Sequence, residues 1–125
     1  MLGINRACRN ASAVSGGCLA VRRELFQSLG GFDTRYHRSL HDVDLCLRGR
    51  ERGLWVVYDA HVELRARHSR LEPIDPQDLE RFAARWKAFL EVPDPYSSPA
   101  FADRGPVYQP AYRMNGRSVS RVARR

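Results

Sequence analysis

The amino-acid sequence predicts an α/β fold, because one segment carries apolar residues at a helical period and another forms a short β-type run. Residues 75–90 repeat apolar side chains every three or four positions, which is typical of one face of a helix. Residues 54–58, Leu-Trp-Val-Val-Tyr, are rich in the β-branched and aromatic types that favour strands. The length of 125 residues fits one domain.

The first predicted element is a strand-like run of small and apolar residues at 11–21, with Gly16 and Gly17 in its middle. Glycine within such a run marks a bulge, or a place where another group approaches the backbone closely. Residues 22–29 then predict a short helix with one apolar side, and Gly30 ends it.

A second helix is predicted at about residues 40–52, and Gly53 ends it. Its buried stripe is formed by Leu40, Val43 and Leu47. The β-type run at 54–58 follows, and residues 62–64 predict a further short strand.

The third predicted helix is the best defined of the three. Asp75 suits the cap position and Pro76 suits the first turn. The predicted buried stripe of this helix consists of Leu79, Phe82, Trp86, Phe89 and Leu90. We expect this stripe to need a partner surface.

Beyond Pro93 the composition changes to Pro, Ser, Gly and Arg, so we expect residues 94–125 to be an irregular, disordered tail. The net charge of +7 lies mostly there, because residues 104–125 hold six arginines and no acidic residue, which leaves residues 1–103 at +1. Basic charge confined to a tail argues against a nucleic-acid groove on the folded body. We therefore expect a solvated tail and no specific nucleic-acid partner; contact of the tail with anionic lipid or nucleic acid stays open.

Cysteine usage and hydropathy indicate a cytoplasmic protein. Cys8, Cys18 and Cys46 are well separated and lack the spacing of a metal site, which favours reduced thiols. For Cys18 and Cys46 we expect a buried, structural role. No apolar run approaches the ~20 residues that cross a bilayer, so we expect no transmembrane segment.

Asp42 is the candidate for chemistry, because a carboxylate near the start of a helix is stabilised in its charged form by unpaired amides and the helix dipole. Such a group can accept a proton if it faces a cleft. Asp44, two residues on, points to nearly the opposite side of a helix, and we expect it to pair with Arg48. Two other interpretations are a metal-binding Asp-Val-Asp pattern, which is the weaker, and a helix cap, which residue type and spacing alone favour.

Three blocks in order resemble the C-terminal half of bacterial family 2 glycosyltransferases, of the inverting, GT-A, rhamnosyltransferase-like type. The first is Ser-Ala-Val-Ser-Gly-Gly-Cys-Leu-Ala-Val-Arg-Arg at 12–23. The second is Gly-Gly-Phe-Asp at 30–33 followed by His-Asp-Val-Asp-Leu-Cys-Leu-Arg at 41–48. The third joins Arg-Trp at 85–86 to Asp-Pro-Tyr-Ser-Ser-Pro at 94–99. Their order and spacing make the resemblance specific.

The resemblance implies that residues 1–93 form the acceptor-side half of a GT-A domain with its C-terminal helix, followed by the tail at 94–125. It implies transfer of a sugar, with inversion, from a nucleotide-diphosphate donor to a hydroxyl of a glycan or lipid-linked acceptor. Asp42 would be the general base on that hydroxyl. Gly16 and Gly17 would form a backbone turn near donor and acceptor, with tight strand packing as the equal alternative.

The resemblance also implies further contacts. His41 stands where the family has Glu or Asn and would contact the acceptor. A divalent metal, Mg²⁺ or Mn²⁺, is expected for the complete enzyme, and His68 matches one histidine of the family's motif, although Ala66 replaces the other. In place of a metal, Arg65, Arg67 or Arg70 would neutralise the donor's diphosphate, and Arg67 is the candidate among them. The alternative for His68 is a solvent-exposed loop residue.

The nucleotide-binding half of the family, with its Asp-x-Asp metal motif, has no counterpart in this sequence. We therefore expect an acceptor-side fragment that is inactive alone and is either truncated or completed by an N-terminal half on another chain. We expect it in the cytoplasm, where a position at the inner face of the membrane stays open. The alternative is a non-catalytic remnant, or a small interaction module that works through its basic tail.

Overall fold

The computed structural model describes residues 7–64 and 73–96, together with the backbone at 113–114 and 117–118. The chain divides into two compact units, residues 1–92 and 93–125. Within its described residues, the larger unit combines helices with a small antiparallel sheet, which is compatible with the predicted α/β class.

Strand β1 (Arg9–Asn10) pairs with strand β2 (Val57–Tyr58) in antiparallel register, with Arg9 opposite Tyr58. The strand predicted at 54–58 is thus confirmed only at its end. The strand predicted at 62–64 is wrong, because the chain turns at residues 60–61 and the described residues pair with nothing in a ladder there.

The strand-like run predicted at 11–21 is also wrong. Gly16–Cys18 instead form one turn of 3₁₀ helix, and Ser15 stands at its start. The Ser15 hydroxyl accepts a hydrogen bond from the Gly17 N–H at 3.3 Å. Such local side-chain hydrogen bonds compete with strand formation, which explains the turn.

Helix α1 (Arg23–Ser28) matches the prediction, and Gly30 ends it as expected. Gly30 and Gly31 have φ angles of +84° and +70°, a left-handed region that costs glycine little. The Gly31 N–H donates to the Phe26 carbonyl at 2.9 Å and closes the helix end.

Helix α2 (His41–Glu51) is confirmed, and Gly53, at φ +76°, ends it. The residue before it, Leu40, holds a left-handed φ of 67°, which a branched side chain rarely adopts. The buried face is wider than the predicted stripe. It consists of Asp44, Leu45, Cys46, Leu47 and Gly49.

The third predicted helix is two helices, α3 (Pro76–Arg85) and α4 (Lys87–Leu90), with a break at Trp86. Asp75 caps α3 as predicted, since its carboxylate accepts from the Gln77 N–H at 2.9 Å. The predicted stripe is only partly buried: Phe82 and Trp86 are buried and Phe89 is half-buried, whereas Leu79 and Leu90 are exposed.

The core of the larger unit gathers Tyr36, Leu47, Phe82 and Trp86, with Leu40, Val43 and Phe89 packed against it. Cys46 is buried as predicted, and burial raises the pKa of its thiol. Cys18 is exposed, so the burial predicted for it is wrong: it lies on the surface 3₁₀ turn.

A fully buried carboxylate, Asp44, joins α2 to α3 and α4. Its oxygens accept from Arg48 Nε at 2.8 Å and from the Trp86 indole N–H at 3.0 Å, and Arg85 Nε lies 3.3 Å away. The predicted Asp44–Arg48 pair is therefore confirmed. The Arg48 guanidinium also donates to the carbonyls of Leu29 and Gly31, which are at the end of α1.

A second buried carboxylate, Asp78, holds the segment that leads into α2. Its oxygens accept from the backbone N–H groups of His37, Arg38 and Ser39, each at 2.9 Å. Burial raises the pKa of Asp78, but these three donors lower it by more, so that the pKa is about 2.

In the second unit, strands β3 (Arg113–Met114) and β4 (Arg117–Ser118) pair in antiparallel register. These four residues are the regular structure that is described within residues 94–125, and the irregular, disordered tail stays a prediction. Among the described residues, no helix has the length and apolar character needed to span a bilayer.

We expect Asp44→Ala to lower the free energy of unfolding by about 3 kcal/mol or more, because it removes the carboxylate partner of the Arg48 Nε–H and the acceptor of the buried Trp86 indole N–H. Urea denaturation of the 125-residue chain measures this. Glu91→Ala is the control, since the Glu91 carboxylate is 65% exposed and lies 3.9 Å from Lys87; surface changes of this kind alter stability by about 0.5 kcal/mol or less. Equal losses in the two variants would contradict the structural role of Asp44.

We expect the contribution of Asp78 to stability to disappear in acid. Because its folded pKa is lowered to about 2 from 3.8, the unfolded chain binds more protons between these values. The contribution is thus complete above the unfolded pKa and is lost as the pH falls towards 2. The urea midpoint of Asp78→Asn should lie well below that of the unmodified chain near neutral pH, and the gap should shrink in acid. A gap that does not change with pH would contradict this.

Candidate active site

Asp42 lies in the first turn of α2 and is held from two sides. Its Oδ2 accepts a hydrogen bond from the Gly16 N–H at 2.6 Å, and its Oδ1 accepts from the Val43 N–H at 2.8 Å. The first of these bonds joins residues 26 positions apart. It fixes the 3₁₀ turn against the start of α2.

Asp42 is half-buried at the N-terminus of a helix, where the positive end of the helix dipole attracts negative charge. Each carboxylate oxygen can accept about two hydrogen bonds, so both keep capacity for a further donor such as an alcohol. The arrangement can therefore accept a proton from a hydroxyl group placed beside it.

Gly16 and Gly17 differ in what surrounds them. A Cβ built on Gly16 would lie 3.1 Å from the Asp42 Cβ and 3.2 Å from its Oδ2, so a side chain there would push the carboxylate aside. A Cβ on Gly17 would meet only the Ser15 hydroxyl, at an ordinary 3.6 Å. The alternative of tight strand packing is wrong for both glycines, since no strand forms here.

A surface cavity of about 480 Å³ opens at Gly16, the residue whose N–H binds Asp42. It is lined by Gly16, Leu19, Val21, Arg23, Phe26 and Phe32. The His41 ring packs edge-on against Phe32 at 5.3 Å between centroids. Asp42 thus adjoins the cavity through Gly16, and His41 adjoins it through Phe32.

Five of the six lining residues were not predicted as site residues, and three of them add charge or aromatic rings: Arg23, Phe26 and Phe32. Arg23 supplies the cationic side chain of the cavity, and the two aromatic rings contact each other at 5.2 Å. The signal for Phe32 was its place in Gly-Gly-Phe-Asp at 30–33, next to the glycines that end α1. Arg23 begins α1, and residues 19–22 separate it from the Gly16–Cys18 turn; its type and position carried no separate signal.

The metal interpretation of Asp42 with Asp44 does not fit the structure. Asp44 is fully buried and occupied by Arg48 and Trp86, whereas Asp42 points to Gly16. The two carboxylates therefore cannot share an ion. Arg67 and His68 lie outside the described residues, so the predicted diphosphate and metal contacts there stay predictions.

The sequence is similar to several curated proteins. It is 38% identical over 95 residues to the O-antigen biosynthesis protein RfbC of Myxococcus xanthus, which is 73% of this chain and 8% of that protein. It is 45% identical over 51 residues to N-acetylglucosaminyl-diphospho-decaprenol L-rhamnosyltransferase of Mycobacterium tuberculosis, 41% of this chain and 17% of the relative. It is 32% identical over 104 residues to an uncharacterized protein of Sinorhizobium fredii, 75% of this chain and 11% of the relative.

No family profile matches the sequence, and no solved structure matches it. The aligned segments span between 8% and 17% of the lengths of these relatives. The similarity establishes a glycosyltransferase-like relationship over that part of their length.

Proposed function

We propose that this chain is the acceptor-side part of an inverting glycosyltransferase of family 2, with the GT-A type of α/β fold. The observation that carries the proposal is the Asp42 carboxylate, bound to the Gly16 N–H at 2.6 Å at a helix N-terminus beside a cavity. The similarity to an L-rhamnosyltransferase and to an O-antigen biosynthesis protein supports it. The substrates proposed are a nucleotide-diphosphate sugar and a hydroxyl of a glycan or lipid-linked acceptor.

In the proposed reaction, Asp42 takes the proton of the acceptor hydroxyl as that oxygen attacks the anomeric carbon of the donor. A new carbon–oxygen bond forms on one face of the sugar. The bond to the diphosphate breaks on the opposite face, and its electron pair leaves with the nucleoside diphosphate. A general base contributes about 10²–10⁴-fold to such a step when it is held at the reacting group.

The neighbours of Asp42 have proposed roles as well. The Gly16 N–H fixes the carboxylate, and Gly17 shapes the same turn. His41, whose ring packs on that of Phe32, would contact the acceptor. Arg23 is a cation in the cavity wall that suits an anionic part of either substrate.

A divalent metal, Mg²⁺ or Mn²⁺, remains a proposal for the complete enzyme, with His68 as a ligand and Arg67 at the diphosphate. One histidine alone is a poor match for Mg²⁺, which prefers oxygen ligands. The proposed reaction therefore includes no step at a metal bound to His68.

We propose further that the nucleotide-binding part is supplied outside these 125 residues, by another chain or by further sequence, and that the chain alone transfers no sugar. Exposed apolar surface supports this: Trp55 is 70% exposed and Leu64 is 71% exposed. A largely apolar cavity of about 440 Å³ lies between α1, α2 and the segment of Trp55. Such surface usually marks a contact with another part of a protein. The proposed location is the cytoplasm, at the inner face of the membrane.

We expect Asp42→Asn to abolish transfer and leave donor binding unchanged. A segment of this chain that contains Gly16 and Asp42 would replace the corresponding segment of the M. tuberculosis rhamnosyltransferase, once with its sequence unchanged and once with the Asp42→Asn substitution. Because the amide keeps an acceptor for the Gly16 N–H but is no base, transfer should fall about 10²-fold or more. Transfer is measured by product formation, and donor binding by calorimetry.

Glu51→Gln is the matched control for this experiment, since Glu51 is an exposed carboxylate at the other end of α2. It should retain full transfer. Equal transfer by the Asp42→Asn and Glu51→Gln chimeras would refute the base assignment. An unchanged chimera that binds the donor but transfers no sugar would instead favour a non-catalytic role for this segment.

We expect Gly16→Ala to impair transfer in the same chimera and Gly17→Ala to leave it near normal. The new methyl group at position 16 would lie 3.1–3.2 Å from Asp42 atoms, so the carboxylate must shift, whereas at position 17 the nearest atom is 3.6 Å away. A displaced catalytic group costs up to about 10²-fold in rate per ångström. The turnover numbers of the two variants provide the measurement. A Gly17→Ala variant as slow as Gly16→Ala would contradict the proposed geometry.

A further inference from the structure

Three side chains of different chemistry meet at the end of the β1–β2 ladder, away from Asp42. The antiparallel register places Arg9 opposite Tyr58. Cys8, just before β1, therefore lies across from Asp59, just after β2. The Cys8 thiol donates a hydrogen bond to Asp59 Oδ1 at 3.2 Å. These residues are 51 positions apart in the sequence, which is why cysteine spacing predicted no metal site here.

His61 completes the group through a local turn. Its backbone N–H donates to the same Asp59 oxygen at 2.9 Å, which brings its ring back towards the carboxylate. One sulfur, one oxygen and one nitrogen of these three side chains lie within 4.8 Å of one another. Among the described residues, no other three histidine, cysteine or acidic side chains place their ligand atoms this close together.

The sulfur–oxygen separation is near the value that a tetrahedral ion requires, and the histidine nitrogen lies within 4.8 Å of both atoms. Zinc bonds of about 2.3 Å to sulfur and about 2.0–2.2 Å to nitrogen and oxygen put neighbouring ligand atoms about 3.5 Å apart. The sulfur–oxygen distance is already 3.2 Å. All three side chains are exposed, so small rotations can bring the histidine nitrogen in and an ion can enter from solvent.

We propose that Cys8, Asp59 and His61 form a binding site for zinc or a chemically similar transition-metal ion, with a fourth position left to water. A thiolate and an imidazole select zinc over magnesium or calcium, which prefer oxygen ligands. On binding, the Cys8 thiol releases its proton to solvent and its sulfur bonds the ion in place of the hydrogen bond to Asp59. No electron is transferred.

The site would fasten the segment before β1 to the turn after β2. The ladder between these strands has only two residue pairs, so it offers little stability of its own. Metal binding to the folded chain adds to its stability, because the unfolded chain does not hold the three ligands together. Asp59 also lines a cavity of about 390 Å³ that includes Ser15 and Cys18, beside the turn that binds Asp42. The proposed site does not depend on the proposed transferase function.

Cobalt(II) titration of the reduced full chain tests the proposal, because a thiolate bound to cobalt gives a near-ultraviolet charge-transfer band. We expect this band to saturate at one ion per chain and to disappear when zinc is added in competition. We also expect zinc to raise the melting temperature of the chain. Absence of the band, or a melting temperature unaffected by zinc, would overturn the proposal.

Matched variants separate this site from adventitious binding. Cys8→Ser should abolish the band, and His61→Gln, on an exposed turn, should weaken cobalt binding at least tenfold. Cys18→Ser and His37→Gln remove an exposed cysteine and an exposed histidine elsewhere, and both should bind as the unmodified chain does. A band that persists in Cys8→Ser, or disappears in Cys18→Ser, would refute the assignment. Circular dichroism confirms that each variant is folded before titration.

Discussion

The larger unit depends on the hydrogen bonds that the buried Asp44 carboxylate accepts from Arg48 and Trp86. A fully buried charge is tolerated only when hydrogen bonds and opposite charges compensate its lost hydration, and Asp44 obtains both from Arg48 and Trp86. These partners come from α2 itself and from the junction of α3 and α4. Arg48 extends the network to the carbonyls at the end of α1. One side chain thereby fixes three helical segments and sets the rotation of α2 about its axis.

The rotation of α2 matters because Asp42 and Asp44 share that helix. Residues two apart on a helix point about 200° from one another, so a face that buries Asp44 must turn Asp42 outward. Outward here means towards Gly16, and the absence of a side chain at Gly16 lets the backbone come within 2.6 Å of the carboxylate. The same Asp-Val-Asp sequence thus yields one structural carboxylate and one that is available to a ligand.

Local sequence signals were sufficient to predict the helices. They were insufficient to predict features that depend on contacts with residues far away in the sequence. The cap at Asp75 and the stop at Gly30 follow from the chemistry of one turn, and both were predictable. The break at Trp86 was not predictable, because it coincides with a hydrogen bond from the Trp86 indole N–H to Asp44, which is 42 positions away. The run at 11–21 is strand-like because its side chains are small and apolar. The Ser15 hydroxyl instead binds the Gly17 N–H, and this run joins no ladder with the part of the chain that the structure describes.

The candidate site shows the same division between local and distant information. That Asp42 begins a helix was readable from the sequence, whereas its contact with Gly16 across 26 residues was suggested only by resemblance to a family. The segment that leads into α2 must also be held in place, since mobility of this segment would let Asp42 move. Asp78 supplies this restraint by binding three consecutive N–H groups at residues 37–39, and Leu40 then enters α2 through a left-handed φ of 67°. A strained residue of this kind persists only where its neighbours determine the backbone. The hydrogen bonds of Asp78 to residues 37–39 therefore account for the left-handed conformation of Leu40.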